Sequence, residues 1–222
     1  MKVDETHFKK ILTKKKIKSS FWKIEKNLIH RHKNLVAIDE AGRGALAGPL
    51  TFGALYLDKA SLKILEKNKI FFFDSKILKP EEREIFKKII KKIGLKYKIF
   101  SLNNKKIDKM GMSKAFLYGI KKIYEYFEPN CLVLDGKKIK NLDLDNVYFF
   151  IKGDQRLCSL GGASILAKTH RDSYMKKMNK KFPEYLFDIH KGYGTKKHYL
   201  MIKKYGPCPL HRKTFLKSLI SS

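Results

Sequence analysis

Residues 35–57 read LVAIDEAGRGALAGPLTFGALYL, and this stretch decides the fold. Its opening, LVAIDE (35–40), is a short apolar run suited to a buried strand. LTFGALYL (50–57) is a second such run, and GRGALAGP turns the chain between them. Two carboxylates, Asp39 and Glu40, stand where the first strand should end. On a regular strand these neighbours would point to opposite faces. Both line one site only if the strand twists or stops there, which AGRG permits.

The motif recurs. Asp135 closes the apolar run CLVLD (131–135), and Asp154 follows FFIKG (149–153), each beside a glycine. Strand ends let distant side chains converge on one cleft while the layer behind stays dry. Carboxylates brought together repel, and one would keep its proton unless a cation sits between them. Oxygen ligands without nearby His or Cys favour Mg²⁺ or Mn²⁺ over Zn²⁺. Two such ions about 3.5–4 Å apart activate water and stabilise the leaving oxygen of a phosphodiester. Any one of these acids alone reads as a salt bridge or turn residue; together they point to metal-dependent phosphodiester hydrolysis.

Composition agrees with a polyanionic partner. Against 21 Asp+Glu stand 50 Lys+Arg, for a formal net charge of +29, and cations that neutralise phosphates release condensed counterions. A biased genome could also produce such lysine enrichment. Arginine is spared by contrast: Arg31 aside, Arg43, Arg83, Arg156, Arg171 and Arg212 fall in or beside the motifs, as expected where a planar fork is required. With 222 residues and 43% hydrophobic content the chain is long and apolar enough to bury a core. It has no apolar run near the roughly 20 residues that cross a bilayer, and its start, MKVDETHFKKIL, lacks a signal region. The expected location is cytoplasmic, with no membrane partner. Cys131, Cys158 and Cys208 match no metal or redox spacing and read as reduced thiols.

Residues 1–34 read as a basic extension, eleven Lys/Arg against three Asp/Glu. Asp4 could cap one short helix, and Ser19 or Ser20 a second carrying Phe21, Ile24 and Leu28. The segment is either a nucleic-acid arm or two helices packed on the domain at 35–222. Beyond the first strand pair, the spacing predicts a helix over 79–93, a strand over 95–102 and a helix over 107–127. Strands at 131–135 and 147–152 precede a long helix through LGGASILAKTHRDSYMKKM. A last helix follows Pro207 and Pro209. The fold class is α/β, one mixed five-stranded sheet with helices on both faces.

DEAGRGALAGPL, DSKILKPEERE, LVLDG, IKGD, ASILAKTHRD, HKGYGT and HRKTF occur in order over about residues 35–216, and the chain resembles ribonuclease HII. The resemblance implies a ribonuclease H-like fold with a C-terminal helical portion, about 155–222. It implies cleavage of RNA in RNA/DNA hybrids and incision 5′ of single ribonucleotides in duplex DNA, leaving 5′-phosphate and 3′-hydroxyl ends. The catalytic, metal-binding acids would be Asp39, Glu40, Asp135 and Asp154, holding two Mg²⁺ or Mn²⁺ ions. Gly42, Arg43 and Gly44 resemble the family's ribonucleotide reader, where glycines let backbone groups approach a sugar and sense its 2′-hydroxyl. Tyr193 resembles the tyrosine that packs on a sugar at the RNA–DNA junction. Ser75, Lys76, Ser164 and Lys168 are candidate phosphate contacts, the last two four apart on one helix face.

Other residues read as structural. Asp172 lies inside a helical stretch and is expected to pair with Arg171 or Lys176. His190, His198 and His211 fit no zinc spacing and read as satisfied structural histidines. Three departures from the family pattern are visible: Ala45 after GRG in place of proline, glycines 161 and 162 in place of alanines, and Leu186 in place of glycine. Two helical glycines should cost about 1 kcal/mol each. The sister family, ribonuclease HIII, differs at the first glycine motif and has a larger N-terminal domain. The alternatives are a binding protein of this fold without catalysis and a DNA-junction nuclease; a monomer is the default.

Overall fold

The computed structural model describes residues 22–216. Its centre is a five-stranded sheet formed by β1 (Asn34–Ala41), β2 (Leu50–Asp58), β3 (Tyr97–Leu102), β4 (Leu132–Asp135) and β5 (Val147–Phe150), in the order β3-β2-β1-β4-β5. β2 runs antiparallel to β1 and β3, while β4 is parallel to both β1 and β5. The sheet is therefore mixed, as the sequence pattern requires. The parallel trio has a consequence for function: the carboxyl ends of β1, β4 and β5 emerge at the same edge of the sheet, and these are the ends that carry acids.

Both faces are covered. Leu35, Ala37, Leu55 and Leu57 face one core with Phe72, Phe86, Ile90 and Leu166, whereas Val36, Ile38, Phe52 and Ala54 face another with Phe116, Ile120 and Ile123. Strand alternation divides the same two strands between two cores, which is why LVAIDE and LTFGALYL read as nearly continuous apolar runs. The first core is roofed by α3 (Pro80–Lys92) and α6 (Cys158–Asn179), the second by α5 (Met112–Phe127). A smaller cluster of Ala47, Met175, Met178, Tyr185, Phe187 and Leu210 packs the C-terminal segment against the far end of α6.

The glycines of α6 have a packing reason. A Cβ on Gly161 would lie 2.3 Å from the Phe72 carbonyl oxygen, and one on Gly162 would lie 2.7 Å from a Leu55 methyl. Across the interface, a Cβ on Gly53 of β2 would come within 2.2 Å of the Ala163 carbonyl oxygen. The expected helix-propensity cost is thus the condition for close approach of α6 to the sheet, and alanines would not fit without displacement.

Several elements differ from the pattern read in sequence. The single helix expected over 107–127 is two, α4 (Asn104–Met110) and α5, broken at Gly111 with φ of 77°. The Asn103 side chain caps α4 by accepting from the Lys106 amide at 2.9 Å. An additional helix, α2 (Lys59–Lys67), is signalled in sequence by its cap: Asp58 accepts from the Ser61 amide at 2.8 Å and its hydroxyl at 2.7 Å. A second additional helix is α8 (Lys196–Tyr205), capped by Thr195; a short turn, α7 (Phe187–His190), precedes it. Where a last helix was expected, the described residues form a 3₁₀ turn at Lys213–Phe215.

Of the basic segment 1–34, the helix expected from Asp4 lies outside the described residues, as do Ser19 and Ser20. The part described is α1 (Lys23–His32), which joins the main core through Trp22, Leu28 and Ile29. Trp22 stacks on Phe71 at 4.1 Å. Glu25 of α1 is fully buried and accepts from the Ser159 amide and hydroxyl, both at 3.1 Å, at the start of α6. Burial pushes its pKa up from 4.5 to about 7, partly opposed by those bonds. Among the described residues no helix is long and apolar enough to cross a membrane. Cys131 and Cys158 are buried free thiols and Cys208 is half-buried.

Candidate active site

Asp39 and Glu40 occupy the end of β1, Asp135 ends β4, and Asp154 lies on the 3₁₀ turn Gly153–Gln155 just after β5. All four therefore emerge at one edge of the sheet. Asp39 is buried and accepts from the Glu40 amide at 2.8 Å. The Gly153 amide donates to Asp135 Oδ1 at 2.7 Å, so the turn bearing Asp154 is pinned to the strand bearing Asp135. Asp154 is buried and faces Lys76 Nζ at 3.4 Å, while Glu40 faces Arg43 at 3.9 Å.

These carboxyls feel one another. Burial raises the pKa of Asp39, and the charges of Glu40 and Asp135 raise it further, against a hydrogen bond from Ser164. Glu40 is raised by burial and by Asp135, with Arg43 opposing. Asp154 is raised by burial and by Asp74 and Asp135, with Lys76 opposing. Such mutual strain among buried acids marks functional sites, and a shared divalent cation would relieve it. Among the described residues no three acidic, imidazole or thiol side chains stand at ion-gripping spacing; each acid is held by its own protein partner instead. The donor set still fits a hard cation: all oxygen, anionic, and gathered at one edge.

The segment DSK (74–76) forms the wall beside Asp154. Asp74 accepts from the Lys76 amide at 2.8 Å and from Gln155 Nε2 at 3.2 Å, which docks this wall on the Asp154 turn. The Lys76 side chain is 75% exposed while its ammonium stays on Asp154. Ser75 and Ser164 are buried and bonded to each other at 2.9 Å, and Ser164 stands near enough to Asp39 to hold its pKa down against burial. The pair thus lies behind Asp39. Lys168 is tied to Asp172 at 2.7 Å. Asp172 pairs with Arg83, at 3.1 Å, and Lys168, not with the expected Arg171 or Lys176. Arg171 is absent from that pair because its fork is occupied elsewhere.

That fork holds the glycine turn. Arg171, fully buried, donates to the carbonyls of Pro49 at 2.9 Å, Ala47 at 3.0 Å and Lys191 at 2.9 Å. Arg212, also fully buried, donates to Gly48 through Nε and Nη2 and to Arg43 through Nη1 at 3.1 Å. Two guanidiniums, with no carboxylate partner among the described residues, thus bracket residues 43–49 by their carbonyl oxygens. Burial, with Arg171 nearby, lowers the pKa of Arg212 to about 9. Sparing use of arginine flagged both positions, but not this task.

Gly42 has φ of +91°, and a Cβ there would lie 2.0 Å from Arg171 Nε. Only glycine passes this point. Gly44, by contrast, meets nothing within 4 Å, so its bare backbone opens outward. The Gly42 amide donates to the Tyr193 hydroxyl at 3.1 Å, and Ala45 forms an isolated bridge with Tyr193. Tyr193 is half-buried, with Arg171 5.0 Å and Lys168 5.6 Å from its ring centroid. Arg43 is 59% exposed and lies over Phe116 at 4.5 Å.

Behind Tyr193, His198 and His211 are hydrogen-bonded to each other, and His190 stacks on His198 with ring centroids 4.1 Å apart. His198 Nδ1 meets the Tyr193 carbonyl at 2.9 Å, so that nitrogen carries the proton, and Nε2 accepts from His211 Nε2 at 3.0 Å. His211 Nδ1 then accepts from the Cys208 amide at 2.9 Å. His190 donates through Nε2 to Tyr185 at 2.7 Å and accepts from the Gly192 amide at 3.1 Å. Every ring is neutral with one tautomer, consistent with burial pushing His198 and His211 down to about 4. The histidines are satisfied structural groups, as expected, and they fix the backbone on either side of Tyr193.

The match to the ribonuclease HII family spans residues 36–218. The chain belongs to the ribonuclease HII family. It is 39% identical to ribonuclease HII of Caldicellulosiruptor bescii, over 91% of this chain and 96% of that one. It is 42% identical to ribonuclease HII of Clostridium tetani, over 84% of this chain and 69% of that one. The crystal structure of ribonuclease H2 from Pyrococcus horikoshii superposes with a TM-score of 0.66 at 25% identity, covering 82% of this chain and 93% of that one. Ribonuclease HII is a ribonuclease H-type endonuclease acting on RNA/DNA hybrids, and the family depends on divalent metal. The fold is shared with a ribonuclease HIII whose crystal structure was solved in complex with Mn²⁺, with a TM-score of 0.58 at 18% identity.

Proposed function

We propose that this ribonuclease HII incises duplexes 5′ of a ribonucleotide, including one embedded singly in DNA, and leaves 5′-phosphate and 3′-hydroxyl ends. Asp39, Glu40, Asp135 and Asp154 are the residues that would hold two Mg²⁺ or Mn²⁺ ions, which when bound supply an activated water and stabilise the leaving oxygen. The chain's own groups do the rest. The turn at Gly42, Arg43 and Gly44 offers backbone to the sugar, and Tyr193 packs beside it. Lys76, and Arg43 with its exposed fork, are placed to meet phosphates. Lys168 joins them only if it leaves Asp172. Ser75 and Ser164 act indirectly, by bracing Asp39.

The observation that carries this reading is the parallel trio β1, β4 and β5, whose ends deliver mutually strained acids to one edge beside the glycine turn. The test is a duplex with one ribonucleotide, beside its all-deoxy control, with Mg²⁺ and with Mn²⁺. Asp154→Asn is expected to lose at least 100-fold in cleavage, on the order of removing one transition-state electrostatic contact, while hybrid binding is retained. Unchanged cleavage by the variant would overturn the residue assignment; cutting of the all-deoxy control would point to a junction nuclease instead.

A further inference from the structure

Away from the acid edge, the start of β3, the outer face of β2 and the end of α5 enclose a cleft of about 560 Å³. Its lining is mostly aromatic, with one lysine and one aliphatic side chain: Tyr56, Leu95, Lys96, Tyr97, Tyr126 and Phe127. Tyr56 stacks on Phe127 at 5.9 Å and 20°, and Tyr126 meets Phe127 edge-on at 4.8 Å. Two ammoniums lie over the rings, Lys98 at 3.9 Å from the Tyr126 centroid and Lys96 at 5.3 Å from that of Tyr56. Tyr126 is 57% exposed. Glu125, its neighbour in sequence, is engaged by Lys122 at 2.6 Å. An exposed ring under a lysine, as Tyr126 is, costs burial that a folded core would otherwise have taken. The same combination is what unpaired nucleic acid needs: π-faces for bases and flexible cations that can follow the phosphates.

We propose that this cleft is a second nucleic-acid site, taking single-stranded DNA or RNA by stacking a base on Tyr126. The register sets its distance from the chemistry. Tyr56 pairs with Val36, four residues down β1 from Glu40, or roughly 13 Å along the strand. None of the four acids lines the cleft, and a duplex held at the acid edge could extend an unpaired tail of a few nucleotides into it. The site rests on the nuclease reading only for the identity of that duplex.

The experiment compares binding by the full chain, in fluorescence anisotropy, of a blunt all-DNA duplex and of the same duplex bearing a tail of about 10 deoxythymidines. The tail is expected to tighten binding roughly tenfold, and Tyr126→Ala to remove most of that gain. Lys98→Gln should remove part of it and weaken its dependence on salt. Both variants should cut a blunt ribonucleotide-containing duplex at the wild-type rate, which separates this site from the acid edge. Failure of the wild type to cut that duplex would count against the nuclease reading alone. Equal affinity for tailed and blunt duplexes, or a tail gain untouched in both variants, would overturn the cleft assignment. Variants that lose blunt-duplex binding and tailed binding in equal measure would overturn it as well.

Discussion

The Gly42 amide and the Tyr193 hydroxyl meet at 3.1 Å across 151 residues of sequence. This bond joins the turn after the first acid pair to the segment that follows α6, and so sets the ring against a backbone position where only glycine fits. Tyr193→Phe keeps the ring and removes the acceptor. The orphaned amide and loosened ring should cost about 1 kcal/mol, or roughly a fivefold loss in kcat/KM on a single embedded ribonucleotide. Tyr193→Ala should lose more there than on a long hybrid, where many registers offer a sugar to the site. Equal losses on both substrates would show that the ring does not sense the junction.

Arg212 supports the same turn from beneath, through Gly48 and Arg43. Arg212→Lys retains a positive charge but not the fork, and a lysine buried in the same place would be driven towards neutrality. Loss of these bonds should lower stability by about 2–3 kcal/mol, a fall of roughly 5–10 °C in Tm for a domain of this size. At temperatures where the variant is folded, selectivity for single ribonucleotides over all-RNA strands should also fall, because the carbonyl of Arg43 is no longer fixed. A variant with lowered Tm and unchanged selectivity would limit Arg212 to a structural role.

The sheet and the acids were legible in sequence because each acid terminates an apolar run, and a run of alternating or continuous apolar residues specifies strand and length at once. LVAIDE, CLVLD and VYFFIK carry that information locally. What they could not carry is which edge they share: that depends on β4 entering beside β1 in parallel, a choice made by the packing of α5 and α6 on opposite faces. The break at Gly111 was hidden because apolar spacing runs through it. The glycines at 161 and 162 read as defects because their reason, the Phe72 carbonyl and the Leu55 side chain, lies some 90 to 107 residues away. Arg171 and Arg212 were conspicuous by type, but their partners are carbonyl oxygens, which every residue has and no sequence distinguishes.

Glu25 makes the link between α1 and α6 depend on pH. Its pKa is raised from 4.5 to about 7 by burial, so the native state holds a proton that the unfolded chain releases between those values. The stability it contributes is full below about 4.5 and is lost as pH rises through about 7. Glu25→Gln keeps a group able to accept from the Ser159 amide and hydroxyl without the titrating charge. The difference in unfolding free energy between variant and wild type should therefore be small at pH 5 and grow in favour of the variant up to pH 8, towards about 3 kcal/mol at most. The histidine group behind Tyr193 acts in the opposite sense, because His198 and His211 are lowered from 6.5 to about 4; its contribution is present above 6.5 and lost as pH falls through 4. Both proteins share that response, so it cancels in the difference. A gap that stays constant from pH 5 to pH 8 would mean that Glu25 is ionised throughout, and that α6 begins on a buried carboxylate.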